Sequence, residues 1–168
     1  MITKPATSNG WLDKYIGEVP ENDLQNALMR QTEDSLRLFA SLTDDQLDYR
    51  YAEGKWNIRE IIVHLMDSER VFAYRAMCFA RKDQTELPGY DENVYALNSY
   101  ASQRSLKSLL EEYMVLRTST VALFANLSPE VVQNSGIANK SVMSVSGLGF
   151  AIVGHEAHHV RVIQVRYL

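Results

Sequence analysis

Residues 57–81 read NIREIIVHLMDSERVFAYRAMCFAR, and how this stretch is read decides the fold. Ile58, Ile61, Ile62, Leu65, Phe72, Ala76 and Phe79 recur at helical spacing and form one broad apolar stripe, the pattern of an amphipathic helix and not of a strand. Asn57 is a good N-cap residue and Glu60 stands three positions on, as a capping box requires. The reading is a helix of about seven turns that buries one face against other helices.

Working outward, three more stretches show the same period. Leu24, Leu28, Ser35, Leu38 and Leu42 place a first helix over Asp23–Ser41, bounded by Pro20 and by the TDD that follows Leu42. A polar link, TDDQLDYRYAEGKW, leads into the second helix. Leu106, Leu109, Leu110, Tyr113, Leu116, Thr120, Leu123 and Phe124 place a third helix over Ser102–Leu127, and a fourth runs from near Met143 almost to Leu168. KDQTELPGYDENVYALNSYA, between the second and third helices, reads as a long loop through Pro88 and Gly89, with room for a short helix after Asp91. No alternating strand pattern stands out. The expectation is one all-α domain over residues 1–168, a four-helix bundle with long crossover connections.

Composition narrows the function classes. With 46% hydrophobic and 23% charged residues in 168, the chain is an ordinary globular protein. A net charge of −4 disfavours a phosphate-binding surface, so no nucleic-acid partner is expected. The N-terminal stretch MITKPATSNGWLDKYIGEVPEN lacks the apolar run of a signal peptide, and no 18-residue apolar segment occurs, so a cytoplasmic protein with no membrane role is expected. The one cysteine, Cys78, sits in FAYRAMCFA and reads as a buried, inert thiol.

The chemistry is concentrated in histidines. GHEAHHVRVIQ, residues 154–164, holds three of the four in the chain. On a helix, His155 and His159 point together, displaced by about 40°, on or beside the core-facing stripe. His64 lies among the apolar residues of the second helix. Two imidazoles at (i, i+4) on one helix and a third on another supply three corners of a metal site with open positions. His158 falls about 60° from His155 and 100° from His159, so it reads as a neighbour of the site and not a ligand. Each histidine has a plain alternative as a hydrogen-bonded core residue, and spacing alone leaves both readings open.

Two sharper motifs fail on inspection. HEAHH matches the H-E-x-x-H of zinc proteases, but the residues after His159, VRVIQVRYL, offer no third histidine or carboxylate. Glu156 and His159 form half of a di-iron Glu-x-x-His site, yet His64 has Ile61 where the second glutamate would stand. Glu156 itself, about 100° from His155, is expected at the surface or beside the site.

Taken together, KWNIREIIVHLMDSERVFAYRAMCFARKD, LPGYDENVY and GHEAHHVRVIQVRYL resemble the DinB-like superfamily, in order and over nearly the whole chain. The resemblance implies an up-down-down-up bundle, commonly a homodimer, with a divalent metal, zinc or nickel, held by three histidines at positions matching His64, His155 and His159. It implies a small-molecule substrate. Some relatives use a low-molecular-weight thiol, joining bacillithiol to electrophiles or isomerising maleylpyruvate with mycothiol; others are described only as metal-dependent hydrolases. On this basis the expected function is a metal-dependent thiol transferase, with a hydrolase as the alternative. A non-enzymatic reading also stands: a dimeric stress-linked protein whose metal is structural or whose pocket sequesters a ligand.

Further candidates surround the site. Asp67, one turn after His64, is placed to orient an imidazole or accept a proton, with a plain solvated carboxylate as the alternative. Arg75, three turns on along a similar face, is placed to bind a carboxylate of a thiol cofactor or to pair with a glutamate. The LPGYDENVY loop offers Tyr90, Asp91 and Tyr95 to a pocket.

Overall fold

A computed structural model describes residues 1–5 and 12–168; residues 6–11, within the N-terminal stretch read above for a signal peptide, lie outside the described residues. The chain forms helices α1 (Asp13–Ile16), α2 (Leu24–Ala40), α3 (Asp44–Asp48), α4 (Ile58–Ala80), α5 (Glu92–Leu97), α6 (Leu106–Ala125) and α7 (Val145–Arg166). A two-stranded antiparallel ribbon, β1 (Ser135–Ala138) and β2 (Ser141–Ser144), precedes α7.

The four long helices, α2, α4, α6 and α7, are those the apolar periodicity predicts, and their ends are set by side-chain caps. Asn57 accepts from Glu60 N while the Glu60 carboxylate accepts from Asn57 N, so both halves of the predicted box are made. Asp23, Ser105 and Ser144 cap α2, α6 and α7 in the simpler one-way manner. The third helix starts later than its predicted Ser102, because Ala101–Gln103 is a 3-10 turn and Ser105 supplies the cap.

Three elements correct the sequence reading. The ribbon occupies the SGIANKSVMS link, and Met143 lies in its second strand, not in the fourth helix. It closes through Asn139 and Lys140, both at positive φ (49° and 60°), a turn the pair forms without glycine, so the usual hairpin signal is missing. The polar link after α2 contains α3, begun by a Thr43–Gln46 capping box. Short α1 precedes α2 with too few residues to show a period. The helix expected after Asp91 is α5, and Cys78 is buried.

Pairings between helices fix the topology. Leu24 and Ser35 on α2 meet Gly149 and Glu156 on α7, so these helices run parallel. Gln25 reaches Val121 near the far end of α6, while Thr32 meets Arg117, so α2 and α6 run antiparallel. Arg59 donates to Arg104 O just before α6, and Glu69 pairs with Arg117, so α4 and α6 are parallel. Tyr167 donates to Trp56 O, so α7 returns antiparallel to α4. The result is a four-helix bundle of up-down-down-up order.

Its core has two apolar parts. One gathers Leu24, Leu28, Phe72, Phe79, Phe124 and Leu148; the other gathers Phe39, Ile58, Ile62, Met66, Leu109 and Ile163. Between them, at mid-height on all four helices, lies a polar layer. Arg117 on α6 donates to both carboxylate oxygens of Glu69 on α4 (3.0 and 2.9 Å), to Thr32 on α2 (2.9 Å) and to Glu156 on α7. Glu156 also accepts from Ser35 and from the Tyr113 hydroxyl (2.5 Å).

Candidate metal centre

The structure brings His64 of α4 and His155 and His159 of α7 together, with one ring nitrogen of each within 4.8 Å of the others. His64 Nε2 and His155 Nε2 approach to 3.1 Å, and the three ring centroids stand 4.7–4.9 Å apart, edge to face. His64 and His155 are buried and His159 partly so. Burial pushes the His64 pKa down to about 4 and that of His159 down to about 3, the latter helped by His64, His158 and Lys14. His155 is held well below the ordinary histidine range by burial and then by the other histidines. All three rings are therefore neutral near pH 7, the state in which imidazole has a lone pair to give.

Two features of the backbone bring the cluster about. The α4–α7 crossing sets the distance between the single and the paired histidines. Gly154, just before His155, lets α1 lie directly on α7: a Cβ there would stand 1.9 Å from the Tyr15 carbonyl oxygen. The Tyr15 ring consequently packs edge-on to His155 (5.2 Å) and His158 (5.8 Å). Trp56, immediately before the α4 cap, tilts against His64 at 4.7 Å, and Phe72 closes on His155 at 6.0 Å. The aromatic wall explains the low pKa values, since it removes the water that would solvate an imidazolium.

The histidines open onto a cavity of about 410 Å³, the size of a small-molecule site. Arg75 and Tyr90 line it, as does His158. Lys14, Tyr15, Trp56, Phe72, Glu92 and Asn139 line it too, and none of these stood out in the sequence. Tyr15 and Asn139 come from short elements with no period, whereas Trp56 had a readable position at the mouth of α4.

Of the other candidates, Asp67, Asp91 and Tyr95 are outside the cavity lining, while Arg75 and His158 line it but have partners of their own. Asp67 does not line the cavity: three residues past His64 is about 60° around the helix, and its carboxylate faces Arg70 (3.6 Å). Burial raises its pKa, with Arg70 working the other way. Asp91 caps α5, accepting from Asn93 N and Val94 N (2.9 and 3.1 Å), away from the histidines. Tyr95 is half exposed and packs on the Tyr90 ring at 5.1 Å. His158 faces Glu18 (3.7 Å) and Arg161 (3.3 Å). Arg75 has no glutamate partner among the described residues; it donates to Pro88 O at 2.8 Å.

Glu156 is the clearest correction. It is 2% exposed, not at the surface. The first half of α7 is buried all round, from Val145 to Glu156, so a side chain turned away from His155 enters the core between α2 and α6 instead of reaching solvent. A signal was available. Glu69 follows Leu65 by four and precedes Phe72 by three; Arg117 follows Tyr113 by four and precedes Thr120 by three. Charges of opposite sign on apolar stripes are candidates for each other.

The family model described as the DinB superfamily matches residues 27–163. Two proteins of Oceanobacillus iheyensis, each bearing the name "Putative metal-dependent hydrolase", are similar in sequence. One is 23% identical over 126 residues, covering 74% of this chain and 72% of the relative. The other is 26% identical over 152 residues, covering 88% and 87%. Among solved structures, YfiT from Bacillus subtilis, described as a probable metal-dependent hydrolase with an unusual four-helix bundle topology, aligns with a TM-score of 0.68 at 21% identity, over 95% of this chain and 87% of that one. The last likeness bears on the fold alone.

Proposed function

This chain belongs to the DinB superfamily, and from that premise we propose that it is a metal-dependent enzyme acting on a small molecule, with zinc or nickel as the ion and a low-molecular-weight thiol as the nucleophile. The observation that carries the reading is the convergence of three neutral imidazole nitrogens, from two helices, beside one cavity. The donor set fits: borderline nitrogen ligands suit zinc and nickel, and three of them are an open complement for a divalent ion. When bound, such an ion lowers the pKa of a thiol or water beside it toward neutrality.

The residues around it have separable tasks. Trp56, Tyr15 and Phe72 exclude water and hold the imidazoles neutral. Ser68 and Tyr90, whose hydroxyls meet at 2.7 Å, tie the crossover loop to α4, and Tyr90 forms one side of the cavity. The two carboxylates nearest the histidines in sequence are engaged elsewhere: Glu156 is turned away and gripped by Arg117, and Asp67 faces Arg70, while Glu92 is the carboxylate on the cavity wall. A thiol, with a reference pKa of about 8.5, needs less help than water to ionise, which favours thiol transfer. Hydrolysis is the second reading, supported by the names of the two Oceanobacillus iheyensis relatives. The homodimer implied by the family resemblance is part of the proposal, and sedimentation velocity checks it.

The test uses untagged protein, stripped and then loaded with zinc or nickel, with monobromobimane as electrophile and bacillithiol, mycothiol, glutathione and cysteine as thiols. A rate above the stripped control with at least one thiol is expected. Rates equal to that control with all four end the thiol reading, and an ester and amide panel on the same samples then decides hydrolysis.

A further inference from the structure

Arg75 lies on the same face of α4 as His64, eleven residues further along. Eleven residues turn the helix to within about 20° of a whole number of turns and advance it by roughly 16 Å. Because side chains lean toward the helix N-terminus, the Arg75 guanidinium reaches back toward the histidines. It is 3% exposed and lines the same cavity.

What it lacks is a counter-charge. Among the described residues no carboxylate pairs with it, and its one hydrogen bond to protein is the donation to Pro88 O (2.8 Å). Burial pulls its pKa down, with only the Tyr90 phenol working the other way. The other buried arginines of this fold are treated differently: Arg117 holds Glu69 and Glu156, and Arg59 holds Asp44 and Asp48. A guanidinium out of water with most of its donor fork unused is costly, and an anion fitting the fork would offset that cost.

The surroundings are already built for such a ligand. Leu87 N donates to Ile137 O (2.9 Å) and Asn139 N donates to Leu87 O (3.0 Å), so the segment carrying Pro88 is pinned to the ribbon. Gly89 packs so closely on the Asn139 side chain that a Cβ would come within 2.4 Å of its Oδ1. The Arg75 end of the cavity is therefore rigid, with Tyr90 and Asn139 as further polar groups beside it. Among the described residues the wall carries Arg75 and Lys14 against Glu92, besides the histidines. The planar Arg75 fork, with one donor committed to Pro88 O, matches the two oxygens of one carboxylate.

We propose that Arg75 is the anion-recognition residue of this cavity, and that the substrate is an elongated small molecule with a carboxylate at the Arg75 end and its reacting group at the histidines. The assignment rests on the reading of the cavity as the substrate site, and does not depend on which ion the histidines hold. It gives the enzyme a polarity: the carboxylate orients the molecule at the Arg75 end, and the chemistry happens at the histidine end of the same cavity.

The experiment follows the Arg75 Nε–H resonance of ¹⁵N-labelled full-length protein, metal-free and zinc-loaded, during titration with hexanoate or with uncharged hexanamide of matched size. In both forms hexanoate should move this resonance saturably and bind at least ten-fold more tightly than hexanamide. Arg75→Met should reduce hexanoate to the hexanamide level, and Arg75→Lys should keep part of the preference. An Arg75 resonance that does not respond, or equal affinity for acid and amide in the unsubstituted protein, overturns the assignment whether or not the variants fold. Zinc content of the same samples reports separately on the metal. Protein that retains no zinc yet moves its Arg75 resonance with hexanoate keeps the anion subsite and ends the zinc reading; protein that binds zinc without that response does the reverse.

Discussion

Arg117 is held between Glu69 and Glu156 with each partner about 3% exposed. Burial works to lower the Arg117 pKa, but Glu156 and Glu69 outweigh it and keep the group well above the ordinary arginine value. Tyr113 is pushed up by burial and then by Glu156, so its hydroxyl remains a proton donor. Removing the guanidinium leaves two buried carboxylates without their partner: Arg117→Ala should cost about 3–5 kcal/mol in urea unfolding. Tyr113→Phe removes one neutral donor and should cost less, roughly 1–3 kcal/mol. The three clustered histidines behave in the opposite way: among the described residues, the neutral rings of His64, His155 and His159 have no ion-pair partner. His64→Ala should abolish stoichiometric zinc binding, read by elemental analysis of dialysed protein, while the far-ultraviolet circular dichroism of the metal-free form stays that of a folded bundle.

Elements carry the next layer of cause. The Asn57–Glu60 box sets where α4 begins, and with it the heights of Trp56 and His64. Asn57→Ala should destabilise the protein by about 1 kcal/mol in the same unfolding assay, the usual effect of losing a cap. Gly154 governs the seat of α1. Its Cβ would collide with the backbone of Tyr15, which has no side-chain rotamer by which to escape. Gly154→Ala should therefore displace α1 from α7 at a cost of about 1–3 kcal/mol, speed limited proteolysis at the N-terminal end, and leave hydrogen-exchange protection of the α4–α6 face unchanged.

At the scale of the molecule, the polar layer divides an otherwise apolar interior at mid-height. Sliding α4, α6 or α7 by a turn would drive a charge into one of the two apolar clusters, and sliding α2 would take Thr32 and Ser35 from their charged partners, so the layer fixes their mutual register. On α7 the histidines flank this layer, His155 standing next to Glu156, while on α4 His64 stands five residues before Glu69. No described helix is long and apolar enough to cross a membrane. A ligand that binds only the folded bundle must stabilise it. Zinc at about one hundred times its dissociation constant should add roughly 2.7 kcal/mol, seen as a rise of several degrees in Tm that excess EDTA reverses.

The sequence by itself determined the four long helices and most of their ends, because apolar period and capping chemistry are local and act through a few neighbouring residues. It also determined the pairing of His155 with His159, since helical pitch alone aligns residues four apart. That His64 joins them depends on how α4 crosses α7, and only the tertiary structure decided it. The same holds for Glu156: its angle on the helix was readable, but whether that angle faces solvent or core depends on how many neighbours surround α7. The fates of Asp67, Asp91 and Arg75 turned likewise on which partner lay across the gap. Spacing along a chain fixes direction from one helix axis, while burial and charge pairing are fixed by what the other helices bring to meet it.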